Sequence, residues 1–176
     1  MNIKNSFKLP IEIISIILLI ASDQLVKFLT VTFLKGQKPL VMVKGVFQFT
    51  YVENRGAAFG MLQNQRVFFL IFTLAVIIWI IINLIKIPQS KMYYPLRITI
   101  IVFLSGAIGN LIDRIRLSYV IDTFYFSLIN FPVFNVADIY VVLGSLVFVY
   151  LIMFYYSEEN LSSIFKKNNN KIKKSK

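Results

Sequence analysis

The sequence predicts an all-α integral membrane protein: four transmembrane helices, with a small strand-rich cradle at one membrane surface. Three observations lead there. Of 176 residues, 57% are hydrophobic, including 17 Phe and nine Tyr, more apolar surface than one soluble core of this size can absorb. The apolar residues gather into four long runs. The basic residues behind the net charge of +11 lie mostly around and between those runs.

The first run covers about 11–33 and follows Lys4 and Lys8, the arrangement that opens a secretory signal peptide. It lacks a small-x-small cleavage site, and apolar residues resume after Asp23, so an uncleaved helix is expected. Between 35 and 66, apolar and polar residues alternate around Val41, Val43, Val46, Phe47 and Phe49, the period of short strands at a membrane surface. The second run, 67–85, has Asn83 as its only strongly polar residue; the third covers about 96–112 and the fourth about 136–156. Runs of roughly 17 to 25 residues, at about 1.5 Å per residue, cross a hydrocarbon layer of about 30 Å. Residues 1–157 are thus expected to form one membrane domain. Residues 158–176, rich in Lys and Asn, are expected to be a disordered cytoplasmic tail against anionic lipid.

Four crossings put both termini on one side. Lys4, Lys8, Lys86, Lys91, Arg97 and the C-terminal lysines then face Lys35, Lys38, Lys44, Arg55, Arg66, Arg114 and Arg116, an excess that favours cytoplasmic termini. Whichever way the chain is oriented, Asp23, Lys27, Glu53, Asn54, Arg55, Asn110, Asp113, Arg114, Asp122, Asn135 and Asp138 all fall towards the other side, at one depth.

The chain has no Cys and no His. That removes the thiol nucleophile, the thiolate metal site and the commonest general base, and leaves carboxylates as the catalytic candidates. No metal, no other cofactor and no nucleic-acid partner is expected. Ser22 and Lys27 do not make a Ser–Lys hydrolase, because residues five apart diverge on a helix.

Each polar group has a plain structural reading beside a chemical one. Asp23 and Lys27, four apart, share a helix face, and an ion pair between them relieves the penalty of charge within a span. Asn54-Arg-Gly56-Ala-Ala-Phe-Gly60 reads either as a turn needing glycine freedom or as a loop that a ligand approaches, with Asn54 as a two-way hydrogen-bonding partner. Ser105-Gly-Ala-Ile-Gly109 supplies small residues for close helix packing. Asn110 with Asp113, and Asn110 with Arg114, share a face; Asp113 and Arg114 serve either structure or an amide substrate. Asn135 and Asp138 have the spacing of a capping box. Asp122, in Val-Ile-Asp-Thr-Phe, has no local cap to serve. If Asp122 and Asp138 met, they would share one proton, the anion activating water and the acid polarising a carbonyl.

These motifs, from Ser22 to Gly144, resemble the lipoprotein signal peptidases (signal peptidase II), aspartic membrane peptidases of bacteria. The resemblance rests on Ser-Asp23-Gln-Leu-Val-Lys27, Asn54-Arg-Gly56-Ala-Ala-Phe-Gly60, Gly106-Ala-Ile-Gly109-Asn110-Leu-Ile-Asp113-Arg114, Val120-Ile-Asp122 and Phe134-Asn135-Val-Ala-Asp138. It implies a catalytic pair Asp122 and Asp138, a substrate groove lined by Asn54, Asn110, Arg114 and Asn135, and structural roles for Asp23, Lys27, Gly56 and Asp113. It also implies four helices, an extracytoplasmic β-cradle and a mobile loop over the site. The substrate would be a diacylglyceryl-modified prolipoprotein, cut before its lipidated cysteine without metal, near the outer face of the bacterial cytoplasmic membrane. Globomycin-type lipopeptides would inhibit, and a monomer is expected. Two positions depart from the family pattern: Thr123 stands where Phe usually follows the first aspartate, and Ser118 where glycine is common.

A rival reading is a small proton-coupled transporter relaying protons through Asp23, Asp113 and Asp138; a relay would spread its groups through the membrane depth. A third is a non-enzymatic assembly subunit.

Overall fold

The computed structural model describes residues 8–56 and 66–164. In chain order the elements are α1 (Lys8–Leu34), β1 (Leu40–Val43), β2 (Phe47–Asn54), α2 (Arg66–Lys86), α3 (Tyr94–Leu117), β3 (Val120–Tyr125) and α4 (Val136–Tyr150). A 3-10 turn, Lys91–Tyr93, leads into α3, and α4 runs on as a π-helical turn, Leu151–Tyr155. Three of these helical segments are long and apolar enough to cross a membrane: Leu9–Leu34, Lys91–Leu117 and Val136–Tyr155; α2 supplies a shorter apolar stretch, Leu70–Lys86.

The molecule is built inside out relative to a soluble protein. Phe28, Ile71 and Ile85 are 65%, 65% and 77% exposed, whereas Asp23, Lys27 and Asp113 are at most 2% exposed. Apolar side chains turned outward and paired charges turned inward is the arrangement a lipid solvent selects. Among the described residues, no buried side-chain nitrogen or oxygen lacks a hydrogen-bond partner.

Helices α3 and α4 pack through small residues, as the Ser105–Gly109 stretch predicts. A Cβ on Gly106 would collide with the Ala137 carbonyl oxygen, and one on Gly144 would lie 2.9 Å from Phe103 Cβ. A Cβ on Gly109 would stand 2.6 Å from Asp23 Oδ2, so this glycine lets α1 and α3 approach where the charges lie.

The cradle is a three-stranded antiparallel sheet, β1-β2-β3. The alternation around Val41 to Phe49 accounts for β1 and β2; β3 joins them from the far side of α3. Val52 pairs with Asp122 and Phe49 with Phe124, so β2 holds one extra residue between the two pairings. Such a bulge increases local twist and re-aims the side chains beside it.

Two expectations need correction. Residues 158–164 form a short helix rather than the start of a disordered tail. Leu161 and Ile164 pack on Ile87, Tyr93 and Tyr156, and the Tyr93 hydroxyl donates to the Asn160 carbonyl at 2.9 Å, which gives this segment the burial its composition alone does not promise. Arg97 is not a flanking surface charge. It is 4% exposed and makes a two-pronged pair with Glu12, Nε to Oε1 at 2.6 Å and Nη2 to Oε2 at 2.7 Å. Its Nη1 donates to the Leu84 and Ile87 carbonyls, so one guanidinium fastens the ends of α1, α2 and α3. Residues 57–65, which include the rest of the Asn54–Gly60 motif and most of the connection where a covering loop would lie, are outside the described residues, as is the tail from 165.

Candidate active site

Asp122 is placed from both edges of its strand. β2 pairs with it at Val52, and on the other side Thr123 and Phe124 donate their N–H groups to the Phe134 carbonyl at 2.9 and 2.8 Å. Asp113 Oδ2, on α3, accepts the Ile121 N–H at 3.2 Å. Asp138 is placed by the start of α4. The Asn135 side chain accepts the Asp138 N–H at 2.9 Å, and Asp138 Oδ2 accepts the Asn135 N–H at 3.2 Å, completing the capping box that the spacing predicts.

The same asparagine connects the two acids. Because Asn135 Oδ1 is held by a backbone N–H, its amide nitrogen must face the other way, and it donates to Asp122 Oδ1 at 2.7 Å. Asn54 repeats the device. Its Oδ1 accepts the Gly56 N–H at 3.1 Å and its Nδ2 donates to Asp122 Oδ2 at 2.9 Å. Asn110 repeats it again, with the Lys27 ammonium on Oδ1 at 2.9 Å and Nδ2 donating to Asp138 Oδ1 at 2.7 Å. Three amides, each locked by an unambiguous donor, thus aim N–H groups at the pair. All four carboxylate oxygens accept one fixed hydrogen bond.

Beneath them Lys27 is tetrahedrally consumed: Asp23 Oδ2 and Asp113 Oδ2 at 2.9 Å each, with Asn110 as the third acceptor. The i, i+4 pair of Asp23 and Lys27 is therefore present but is half of a triad. Asp23 also accepts the Ala137 N–H at 2.9 Å, tying α1 to the start of α4. Gln24 Nε2 reaches both Asp23 Oδ2 and Asp113 Oδ1, at 3.2 and 3.1 Å. Ser22 turns away, its hydroxyl on the Leu19 carbonyl and on Tyr140.

Asp122 is pushed up to about 7, chiefly by burial and further by the charge of Asp138; the two amide donors and the Lys27 charge oppose this. Glu53, near the end of β2, is held below the usual carboxylate range by hydrogen bonds from Arg55 and Tyr51.

Both aspartates open on one cavity of about 770 Å³, which Asn54, Asn110 and Arg114 also line. Glu53 and Arg55 add charge at its sheet side, and the rest of the wall is apolar, with Phe131, Phe134, Ile139, Val142 and Leu143 prominent. Asn135 lies behind the carboxylates and reaches them by hydrogen bonds. The two departures from the family pattern have local explanations. The buried Thr123 hydroxyl pairs with Thr30 on α1 at 2.8 Å, and Ser118 sits at the C-cap of α3 with φ of 72°, where glycine is the easier residue.

Sequence reasoning missed Glu12, Gln24 and Thr30. Glu12 carried a signal: a lone carboxylate in an apolar run requires a partner. Gln24 and Thr30 carried none, since their partners are far away in the chain.

A carboxylate pair and a polar-to-apolar cavity, set where apolar helices meet a small sheet, define a multi-pass membrane enzyme. One solved structure described as a bacterial membrane enzyme, determined by the in meso method at 1.9 Å, aligns with a TM-score of 0.73 at 26% identity, covering 84% of this chain and 95% of that one. A second, at 2.3 Å, has the same fold, with a TM-score of 0.72 at 24% identity over 82% and 88% of the two chains. Residues 15–154 match the family Signal peptidase (SPase) II, and the chain belongs to that family of peptidases. It is 47% identical to the lipoprotein signal peptidase of Caldanaerobacter subterraneus over 75% of this chain and 88% of the relative. It is 42% identical to those of Streptococcus thermophilus (84% and 93% covered) and Clostridioides difficile (83% and 97%). None of this supports the transporter reading.

Proposed function

We propose that this chain is an aspartic endopeptidase that removes signal peptides from diacylglyceryl-modified prolipoproteins, cutting just before the lipidated cysteine, with Asp122 and Asp138 as its catalytic pair. The observation that carries this is Asn135, which donates to Asp122 while capping the helix that presents Asp138. Two acids so joined hold one proton more readily than none. The ionised one takes a proton from water, whose oxygen bonds to the scissile carbonyl carbon. The protonated one gives its proton to the carbonyl oxygen. When the tetrahedral adduct collapses, the C–N bond breaks, the leaving nitrogen takes the first proton, and the second acid regains its own.

The remaining parts suit this chemistry. Asn54, Asn110, Arg114 and Asn135 bind or orient substrate and acids. Asp23, Lys27, Gly56 and Asp113 hold the frame. The apolar side of the cavity suits acyl chains that stay in hydrocarbon while water enters from the sheet side. We place four crossings, α2 included, in one domain ending near 157, with both termini cytoplasmic and the cradle near the outer face of a bacterial cytoplasmic membrane. The enzyme acts as a monomer, needs no cofactor, and is blocked by globomycin-type lipopeptides that fill the same cavity.

The test uses purified protein in detergent with one precursor, prepared with and without its diacylglyceryl group. Mass spectrometry should find one cut, immediately before the lipidated cysteine, and much slower cutting of the unmodified form. Equal cutting of both, or of neither, would overturn the substrate assignment.

A further inference from the structure

The two aspartates are chemically alike but are not held alike, and the difference runs back to Lys27. Asp138 occupies the third position of α4, where the helix N-terminus favours negative charge, and it accepts a backbone N–H from Asn135. Its other oxygen accepts from Asn110, an amide that cannot turn over because the Lys27 ammonium grips its oxygen at 2.9 Å. A carbonyl oxygen clamped by a buried cation polarises its own N–H donors and strengthens what they donate to. Asp122 lies in a strand, away from any helix terminus, and its two amide donors, Asn54 and Asn135, are held by backbone N–H groups rather than by a cation; it is 1% exposed, while Asp138, on the same cavity, is half-buried.

We propose that Lys27, acting through Asn110, makes Asp138 the resident anion of the pair, so that Asp138 is the base that takes the proton from water and Asp122 is the acid that protonates the carbonyl oxygen. Lys27 is then a positioning residue rather than only a structural counter-charge. This rests on the reading of Asp122 and Asp138 as the catalytic pair. The charged groups around Asp138 agree with the assignment. Asp122 comes from β3 and Arg114 from α3, both on the same cavity. Asp113 from α3 and Asp23 from α1 are engaged with Lys27 itself. Glu53 from β2 and Arg55 just beyond it pair with each other.

The test removes the clamp without unbalancing the buried charges. In the double variant Lys27→Met with Asp23→Asn, one cation and one anion leave together, and the new amide oxygen can still accept the Ala137 N–H. Freed of the ammonium, the Asn110 amide can present its oxygen to Asp138 and disfavour the anion. The acid limb of kcat should move up by about one pH unit, with kcat reduced about tenfold on the acid side of that limb, little changed well above it, and KM unchanged within about twofold. A uniform loss at every pH, or an unmoved acid limb, would overturn the proposal. Should that variant fail to fold, Asn110→Leu leaves Lys27 between its two carboxylates and must give the same displacement; an unmoved limb again overturns it. Asp122→Asn and Asp138→Asn separate the two ideas. If either still cleaves, the catalytic pair itself is wrong; if both are inactive while the limb stays fixed, only the role of Lys27 and Asn110 falls.

Discussion

Asn135 Nδ2 donates to Asp122 Oδ1 at 2.7 Å, and the direction of that bond is set by the N–H of Asp138 on the other end of the same amide. One residue thus does two separable jobs, helix cap and carboxylate donor. Ser is a good N-cap but too short to span to Asp122. Asn135→Ser should therefore keep thermal stability within about 1 kcal/mol of the parent. Losing a donor to the carboxylate that Asp122 becomes when it gives up its proton, about 1.5–3 kcal/mol, should lower kcat roughly 10- to 100-fold. Thermal unfolding and steady-state cleavage, measured on the same preparation, separate the two.

Burial raises Asp122 from its ordinary 3.8 to about 7. Below 3.8 the group is neutral in both folded and unfolded chains. As pH rises, the unfolded chain ionises first, so stability is lost through the interval up to about 7 and is fully reduced above it. Asp122→Asn stays neutral throughout. Its Tm should match the parent near pH 4, exceed it increasingly between pH 5 and 7, and hold a constant lead above about pH 7.5. A lead independent of pH would mean the carboxylate carries no such burden.

Ser118 holds φ of 72° at the end of α3, and its N–H caps the Arg114 carbonyl. A non-glycine residue there is disfavoured by about 1 kcal/mol, against which glycine loses some unfolded-state entropy. Ser118→Gly should raise stability by about 0.5–1 kcal/mol and leave cleavage unchanged, as read by thermal unfolding and activity.

Arg97 should prove unforgiving. Arg97→Leu leaves the half-buried Glu12 without its partner and the Leu84 and Ile87 carbonyls without their donor, a loss of about 2–4 kcal/mol. Arg97→Lys should recover little, because an ammonium cannot reproduce the fork. The double variant Glu12→Gln with Arg97→Leu should be more stable than Arg97→Leu alone, which a double-mutant cycle would reveal.

Much of this was legible in the sequence. Length and apolarity located the helical runs, and two-residue alternation located β1 and β2. The spacing of Asn135 and Asp138 announced the capping box, and the spacing of Asp23 and Lys27 their shared face. What stayed hidden depends on contacts across the chain. Nothing local says that Lys27 divides its protons among Asp23, Asp113 and Asn110, or that Thr30 meets Thr123. Nor does composition say that 158–164 folds back on Tyr93. The burial of Arg97 was hidden because charge counting treats every basic residue near a span end as solvated, whereas this one is paired with Glu12 on α1.

The most direct measurement is the cleavage rate of a diacylglyceryl-modified precursor by Asp122→Asn and Asp138→Asn, each purified in detergent and shown to unfold at or above the parent's Tm. With one acid gone, no shared proton remains to serve both water and carbonyl, and both variants should lose at least about a thousandfold in kcat. Cleavage at the parental rate by either folded variant would contradict the account.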